Sequence, residues 1–347
     1  MSEIKYSYAP ALPEEFKCRV PLPGTVQALV NNGVLREEIK EESGVKISPR
    51  GEMGFLYEVP QDCQAPDTMQ VISFRDSLNT DDIDFENELV FNKNSEASML
   101  LCTHTLSMDK FNTSEKVIIN IREGAKAMIV VMQNEHNESN HNVSFKINVE
   151  AGGFVRINVV TLHGAQLDNT FDVNLVGRES NCELNGIYLM DGSQVVNTRI
   201  TMNHLVPDCL SSQLFKGILD DKAVASFTGR IVVARDAQKT EAYQANHNLL
   251  VSPFAKAYAQ PQLEIYADDV KCSHGATSGR LDDNALFYMR SRGIGASEAK
   301  LLQQLAFVYD VLEKITNEQL RKRLSDLVES RLRGEFGHCT NCSMNCC

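Results

Sequence analysis

The sequence contains no tryptophan, and aromatic residues make up only 7% of its 347 positions. A sugar-stacking cleft is therefore a poor expectation. No run of about 18 apolar residues occurs, the length a helix needs to cross a bilayer. The opening stretch "MSEIKYSYAP" has no apolar core of the kind a secretory signal carries. Together these absences set the expectation of a cytoplasmic protein. A basic surplus is also missing: 34 Lys and Arg face 46 Asp and Glu, a net charge of −12. Nucleic acid and anionic membrane both need a basic face, so neither is an expected partner. There is no G-x-x-x-x-G-K-[ST] phosphate loop. "RGIGASEAKLL" fails the dinucleotide pattern because Glu298 stands where the third glycine belongs. The chain is not expected to hydrolyse ATP itself. No G-x-S-x-G elbow marks a serine hydrolase.

Cysteine, by contrast, is well represented, with ten residues. In a reducing cytoplasm disulfides are uncommon, which leaves metal binding, thiol chemistry or burial.

The first ninety residues carry the weakest pattern. Prolines at 10, 13, 21 and 23 break any early helix, and "TVQALVNNGVLREEIK" reads as a short helix pair around Gly33. "DDIDFENE" at 81–88 reads as a solvated acidic face. From about residue 97 the character changes. "EKVIINI", "AKAMIVVM", "VSFKINVE", "FVRINVVTL" and further β-branched runs follow one another, separated by Glu123-Gly124, Gly152-Gly153 and Asp191-Gly192. Val143, Phe145, Ile147 and Val149 alternate with polar residues, the period of a half-buried strand. Strand after strand with no intervening helix suggests a β-sandwich, a barrel or a β-helix. No crisp repeat selects among the three.

After Asp283 the strands stop. Leu301, Leu302, Leu305, Val308, Tyr309 and Leu312 form one helical stripe, and Leu320, Leu324, Leu327, Val328 and Leu332 form another. Thr316 followed by Gln319 fits a capping box. Gly293 and Gly295 read as a hinge after "LFYMRSR". The expectation is a helical hairpin appended to an all-β body.

Two stretches carry thiol chemistry. In "VKCSHGATSG", Cys272 and His274 stand two apart. In a strand they share a face, roughly 6.6 Å apart, within reach of one metal. A zinc site or cluster needs further donors, from His247, Cys209 or His204 or from a second subunit. A buried Cys beside a hydrogen-bonded His is the plain alternative. The C-terminal "HCTNCSMNCC" places Cys339, Cys342, Cys346 and Cys347 beside His338, and Cys-x-x-Cys is a common metal half-site. Elsewhere, Asp268 and Asp269 should point to opposite faces of a strand, and His136 and His141 read as a polar loop.

One long segment, "QLFKGILDDKAVASFTGRIVVARDAQKTEAYQANHNLLVSPFAKAYAQPQLEIYADDVKCSHGATSGRLDDNALFYMRSRGI", resembles the SufB/SufD family of scaffold proteins for iron–sulfur cluster assembly. The short chain and "KCSHGAT" are more similar to its SufD than its SufB members. The resemblance implies a mainly β protein, with a right-handed parallel β-helix core at about 91–283 and a C-terminal α-helical domain at about 284–334. A partly helical region at 1–90 and a Cys-rich tail at 335–347 would flank these. It implies pairing with SufB through the β-helix and docking of the ATPase SufC on the helices, with Leu286, Phe287, Tyr288, Arg290, Arg292, Leu305 and Tyr309 as candidate contacts. His274 and Cys272 would be ligands of a transient iron–sulfur cluster or iron at the subunit interface, the missing donors coming from SufB. Reduced flavin is associated with such complexes, although no flavin motif is present in this chain. The isolated chain could form a homodimer. The tail, with Cys339, Cys342 and Cys346, lies outside the family pattern. It motivates the alternative of a homo-oligomeric iron or zinc storage or delivery protein.

Overall fold

A computed structural model describes residues 24–36, 39–42, 44–76, 81–105, 110–135 and 138–334. The body is a parallel β-solenoid of about seven turns, with 57% of the described residues in strands and three described helices after it. Strands alternate between two ten-stranded sheets. The first sheet runs up to Glu241–Leu250 and Lys271–Gly279, and the second up to Val224–Val233 and Lys256–Ile265.

Registers run straight up the stack. Ala127 pairs with Val155, Val155 with Cys182, Cys182 with Ser211, Ser211 with Ala242, and Ala242 with Cys272. Each turn is held by a repeated corner. Asp62, Asn94, Gly124, Gly152, Glu179, Asp208 and Lys239 all have positive φ, each two residues before a strand of the first sheet. The left-handed conformation reverses the chain there, and Asp, Asn and Gly adopt it most readily.

Two cores result. The space between the sheets is filled by alternate side chains such as Val143, Phe145, Ile147 and Val149. The outer face of the first sheet is covered by helices α2 (Ala296–Leu312) and α3 (Glu318–Leu332), which bury Val308, Val311, Leu312, Leu320, Leu324 and Val328 against Val130, Met132, Val160, Ile187 and Ile218. Each such side chain contributes on the order of 1.5–3 kcal/mol when fully buried. Sheets covered on both faces have strands apolar on both faces, which is why "AMIVVM" shows no alternation. Polar ties fix the helices in place. Lys216 Nζ donates to the Phe307 carbonyl and pairs with Asp310, both at 2.8 Å, and Arg331 Nε donates to the Leu162 carbonyl at 3.0 Å. Among the described residues no helix is long and apolar enough to cross a membrane.

Several expectations are corrected. Residues 25–40 form no helix pair in their described part: Thr25–Asn31 is a strand that turns through Asn32 and Gly33 into Val34–Leu35. Leu29 faces the outer core, and Val26, Ala28 and Val30 the inner one, so burial on both sides mimicked helical spacing. Among the described residues the first sheet accordingly includes strands from Thr25 and the second from Ile39, well before residue 91. The acidic stretch 81–88 enters the strand Ile83–Phe91, with Ile83, Phe85 and Leu89 inward and Asp84 outward. Asn317, not Thr316, caps α3, accepting from the Leu320 N–H at 3.0 Å. A third helix, α1 (Asp283–Ser291), precedes the hairpin. Asp268 and Asp269 lie in a bend, not a strand.

Candidate interface site at the open end of the solenoid

The two ends of the stack differ. Among the described residues the N-terminal end carries antiparallel pairs, Thr25–Asn31 with Val34–Leu35 and Ile39–Glu42 with Val45–Pro49. At the other end, Lys256–Ile265 and Lys271–Gly279 are the last strands of their sheets, and no described strand pairs with their outer edges. Such edges present unpaired N–H and C=O groups and are templates for pairing with another chain.

Cys272 and His274 lie on this last strand. Cys272 pairs in register with Ala242 and His274 with Gln244. Both partners are buried in the solenoid interior, so Cys272 and His274 share its inward face. Cys272 is half-buried against the inner core, whereas His274 is exposed. Burial pushes the Cys272 thiol above its ordinary range, against a smaller opposing effect from a backbone hydrogen bond at Ala242. A metal binding here would have to displace the thiol proton.

The other candidate donors lie elsewhere. His247 is in register with Thr277 on the opposite face, its Nδ1 2.7 Å from Thr277 Oγ1. His204 is buried, with Nε2 2.9 Å from Ser211 Oγ, and burial pushes its pKa down to about 4. Ser211 stands two register steps below Cys272, roughly 9.6 Å at the usual strand spacing. Cys209 is buried in a corner, its Sγ 3.2 Å from Ser180 Oγ. Among the described residues no group of three or more His, Cys, Asp or Glu could hold a metal ion. Cys339, Cys342 and Cys346 lie outside the described residues.

The helical candidates divide into two kinds. Helix α1 is capped by Asp282, whose side chain accepts from the Asn284 and Ala285 N–H groups, and it buries no residue. Phe287 is 74% exposed and Tyr288 58%, with the Arg292 guanidinium 4.9 Å above the Tyr288 ring. Arg290 is also exposed, and Leu286 is half-buried. On α2, Tyr309 is exposed, but Leu305 packs against the sheet–helix core.

A buried ion cluster escaped the sequence reading. His141 is not a loop residue. It faces the solenoid interior with Nε2 3.3 Å from Glu115 and Nδ1 3.4 Å from Glu135, all three nearly inaccessible. Burial opposes the imidazolium, but the two carboxylates outweigh it and raise the His141 pKa to about 10. Burial likewise opposes the Glu135 carboxylate, yet the contact with His141 and hydrogen bonds from threonines lower its pKa to about 2. The signal was available: His141 extends the inward alternation of Val143, Phe145 and Ile147 by one step.

Comparison with known proteins bears on which family the chain belongs to. The family model described as "SUF system FeS cluster assembly, SufBD core domain" matches residues 81–307. The chain is 33% identical over 250 residues to the iron–sulfur cluster assembly protein SufD of Escherichia coli, covering 72% of this chain and 59% of that protein. It is 40% identical over 151 residues to an iron–sulfur cluster assembly SufBD family protein of Synechocystis, covering 43% of this chain and 33% of the relative. With SufD of Plasmodium falciparum it shares 26% identity over 304 residues, 77% of this chain and 20% of that protein. The chain thus spans little more than half the length of the E. coli relative. A match over well above half its residues, on a solenoid ending in the Cys272–His274 strand, means that the chain belongs to the SufB/SufD family of the SUF iron–sulfur cluster assembly system and is most like SufD.

Proposed function

We propose that this protein is a non-catalytic scaffold subunit that pairs end-to-end with a SufB-type subunit in the cytoplasm and contributes ligands to a cluster assembled at the junction. The observation that carries this reading is the position of Cys272 and His274 on one face of a terminal strand whose outer edge is unpaired. A site with two donors on an open edge is half a site. A second solenoid set against it would bury the edge and could add the remaining donors. The nascent cluster, or the iron that begins it, is the cargo of this junction rather than a resident cofactor.

The helices supply the second contact in this reading. Helix α1 exposes Phe287, Tyr288, Arg290 and Arg292, and α2 exposes Tyr309, aromatic and arginine side chains of the kind that protein interfaces favour. A SufC-type ATPase is the proposed occupant, and ATP hydrolysis would belong to it. Because α2 and α3 pack on the outer face of the first sheet, movement imposed on the helices would bear on a sheet whose last strand is at the open end.

Co-expression with SufB and SufC, purification without air and an absorption spectrum test the proposal. A stable complex whose cluster absorbance falls in His274→Ala supports the ligand assignment. Unchanged absorbance removes His274 from the ligand set. Failure to form any complex, with metal retained on the isolated chain, overturns the scaffold reading.

A further inference from the structure

The column of inward side chains that ends at His274 changes chemistry along the stack. In register order it reads Ile129, Ile157, Leu184, Gln213, Gln244 and His274. The first three are apolar and buried, as an interior column should be. Gln213 and Gln244 are equally buried, at 2% and 3% exposure, yet carry amides. Gln244 Nε2 donates to Gln213 Oε1 at 2.8 Å. Room for the Gln244 amide comes from Gly229 across the interior, where a Cβ would lie only 2.2 Å from Nε2. The Gln244 Oε1 is shielded from water and has no hydrogen-bond partner.

A buried carbonyl left without a donor costs free energy, and native interiors rarely keep one without a use. The next group up the column is the His274 imidazole. Side chains in register on one face of neighbouring parallel strands are separated by roughly 4.8 Å at the backbone. The imidazole is thus the polar group in register directly above the orphaned oxygen, and rotation about its side-chain bonds is the movement that would direct a ring N–H toward it. Histidine ligands commonly donate their second nitrogen to such an acceptor, which fixes the tautomer and the ring plane.

We propose that Gln244 is the positioning residue for His274: its free amide oxygen accepts one imidazole N–H and leaves the other ring nitrogen presented at the open edge for an incoming metal. The functional consequence rests on the reading of His274 as a ligand, but the hydrogen bond itself does not.

The test uses the full chain labelled with ¹⁵N-histidine, at about pH 8.5, where an ordinary imidazole is neutral. Ring ¹⁵N shifts report the tautomer, and His274→Ala identifies the His274 signals. The wild type should show one tautomer, and Gln244→Met should release it to a mixture. Gln213→Met is the control, since it also breaks the Gln213–Gln244 bond but keeps the Gln244 oxygen beneath His274, and it should leave the tautomer fixed. In the assembled complex, Gln244→Met should weaken Fe(II) binding by about tenfold or more, the usual effect of removing such a partner. A mixed tautomer in the wild type, or a fixed one in Gln244→Met, overturns the proposal. So does equal release in both methionine variants, which would mean that the amide ladder merely supports the turn. If the tautomers behave as expected but His274→Ala leaves cluster absorbance unchanged, Gln244 still orients the ring and the ligand reading alone fails.

Discussion

His141 Nδ1 lies 3.4 Å from Glu135 Oε1 inside the solenoid, where both side chains are nearly inaccessible to water. Glu115 flanks the other ring nitrogen, and Asn87 donates to Glu115 at 2.6 Å. The raised His141 pKa makes its contribution to stability complete below about pH 6.5, the ordinary histidine value, with loss as pH rises through about 10. The lowered Glu135 pKa makes its contribution complete above about pH 4.5, with loss as pH falls through about 2. Urea midpoints should therefore be flat between these limits and decline toward pH 9. His141→Gln leaves two carboxylates buried without a cation. It should cost about 3–5 kcal/mol and reverse the slope, so that the variant gains stability on acidification toward pH 5. Parallel slopes for the two proteins would show that His141 is neutral in the fold.

The docking surface on the helices is tested best with residues that bury nothing. Phe287→Asp combined with Tyr309→Asp should abolish pull-down of a SufC-type ATPase while leaving the thermal transition within about 0.5 kcal/mol of wild type, as for surface changes in general. Leu305→Asp is a different experiment, because Leu305 packs against the sheet–helix core. It should lower stability by several kcal/mol, roughly the burial of one leucine plus the cost of an unpaired charge. Retained binding in the Phe287/Tyr309 variant would move the docking surface elsewhere.

How much of this was legible from sequence depended on how local the constraint is. The alternation of Val143, Phe145, Ile147 and Val149 is a short-range pattern, and it placed an inward strand face correctly. The two-residue spacing of Cys272 and His274 did the same, since strand geometry alone puts them on one side. Thr25–Asn31 failed because both its faces are buried, which erases the period of two. The repeat stayed hidden because its one fixed feature is conformational: a left-handed residue that Asp, Asn, Gly, Glu or Lys fills in different turns. That Gln244 stands beneath His274 depends on a pairing thirty residues apart, which no local window contains.

The open end makes a separate prediction about self-association. Ala276 lies on the last strand, exposed and on the inward face with Cys272 and His274. A lysine on an edge strand is an effective block to edge pairing. The isolated chain should show concentration-dependent dimers by sedimentation, and Ala276→Lys should be monomeric with an unchanged circular dichroism spectrum. Dimers that persist in Ala276→Lys would place the self-contact on another surface.

The thiols should separate by depth. Cys182 is fully buried one register step below Ser211, and burial pushes its pKa up to about 12. Cys272 is raised in the same direction but is only half-buried at the open end. Because the thiolate is the reactive form, Cys272 should react with maleimide in the native chain more slowly than a free thiol of ordinary pKa. Its rate should rise about tenfold per pH unit until its raised pKa is passed. Cys182 should remain unlabelled until urea unfolds the solenoid. Peptide mapping by mass spectrometry resolves the sites individually. Binding of a partner solenoid over the open end should then protect Cys272 and leave Cys182 unaffected. Labelling of Cys272 at an unchanged rate in the assembled complex would mean that the junction leaves this strand uncovered.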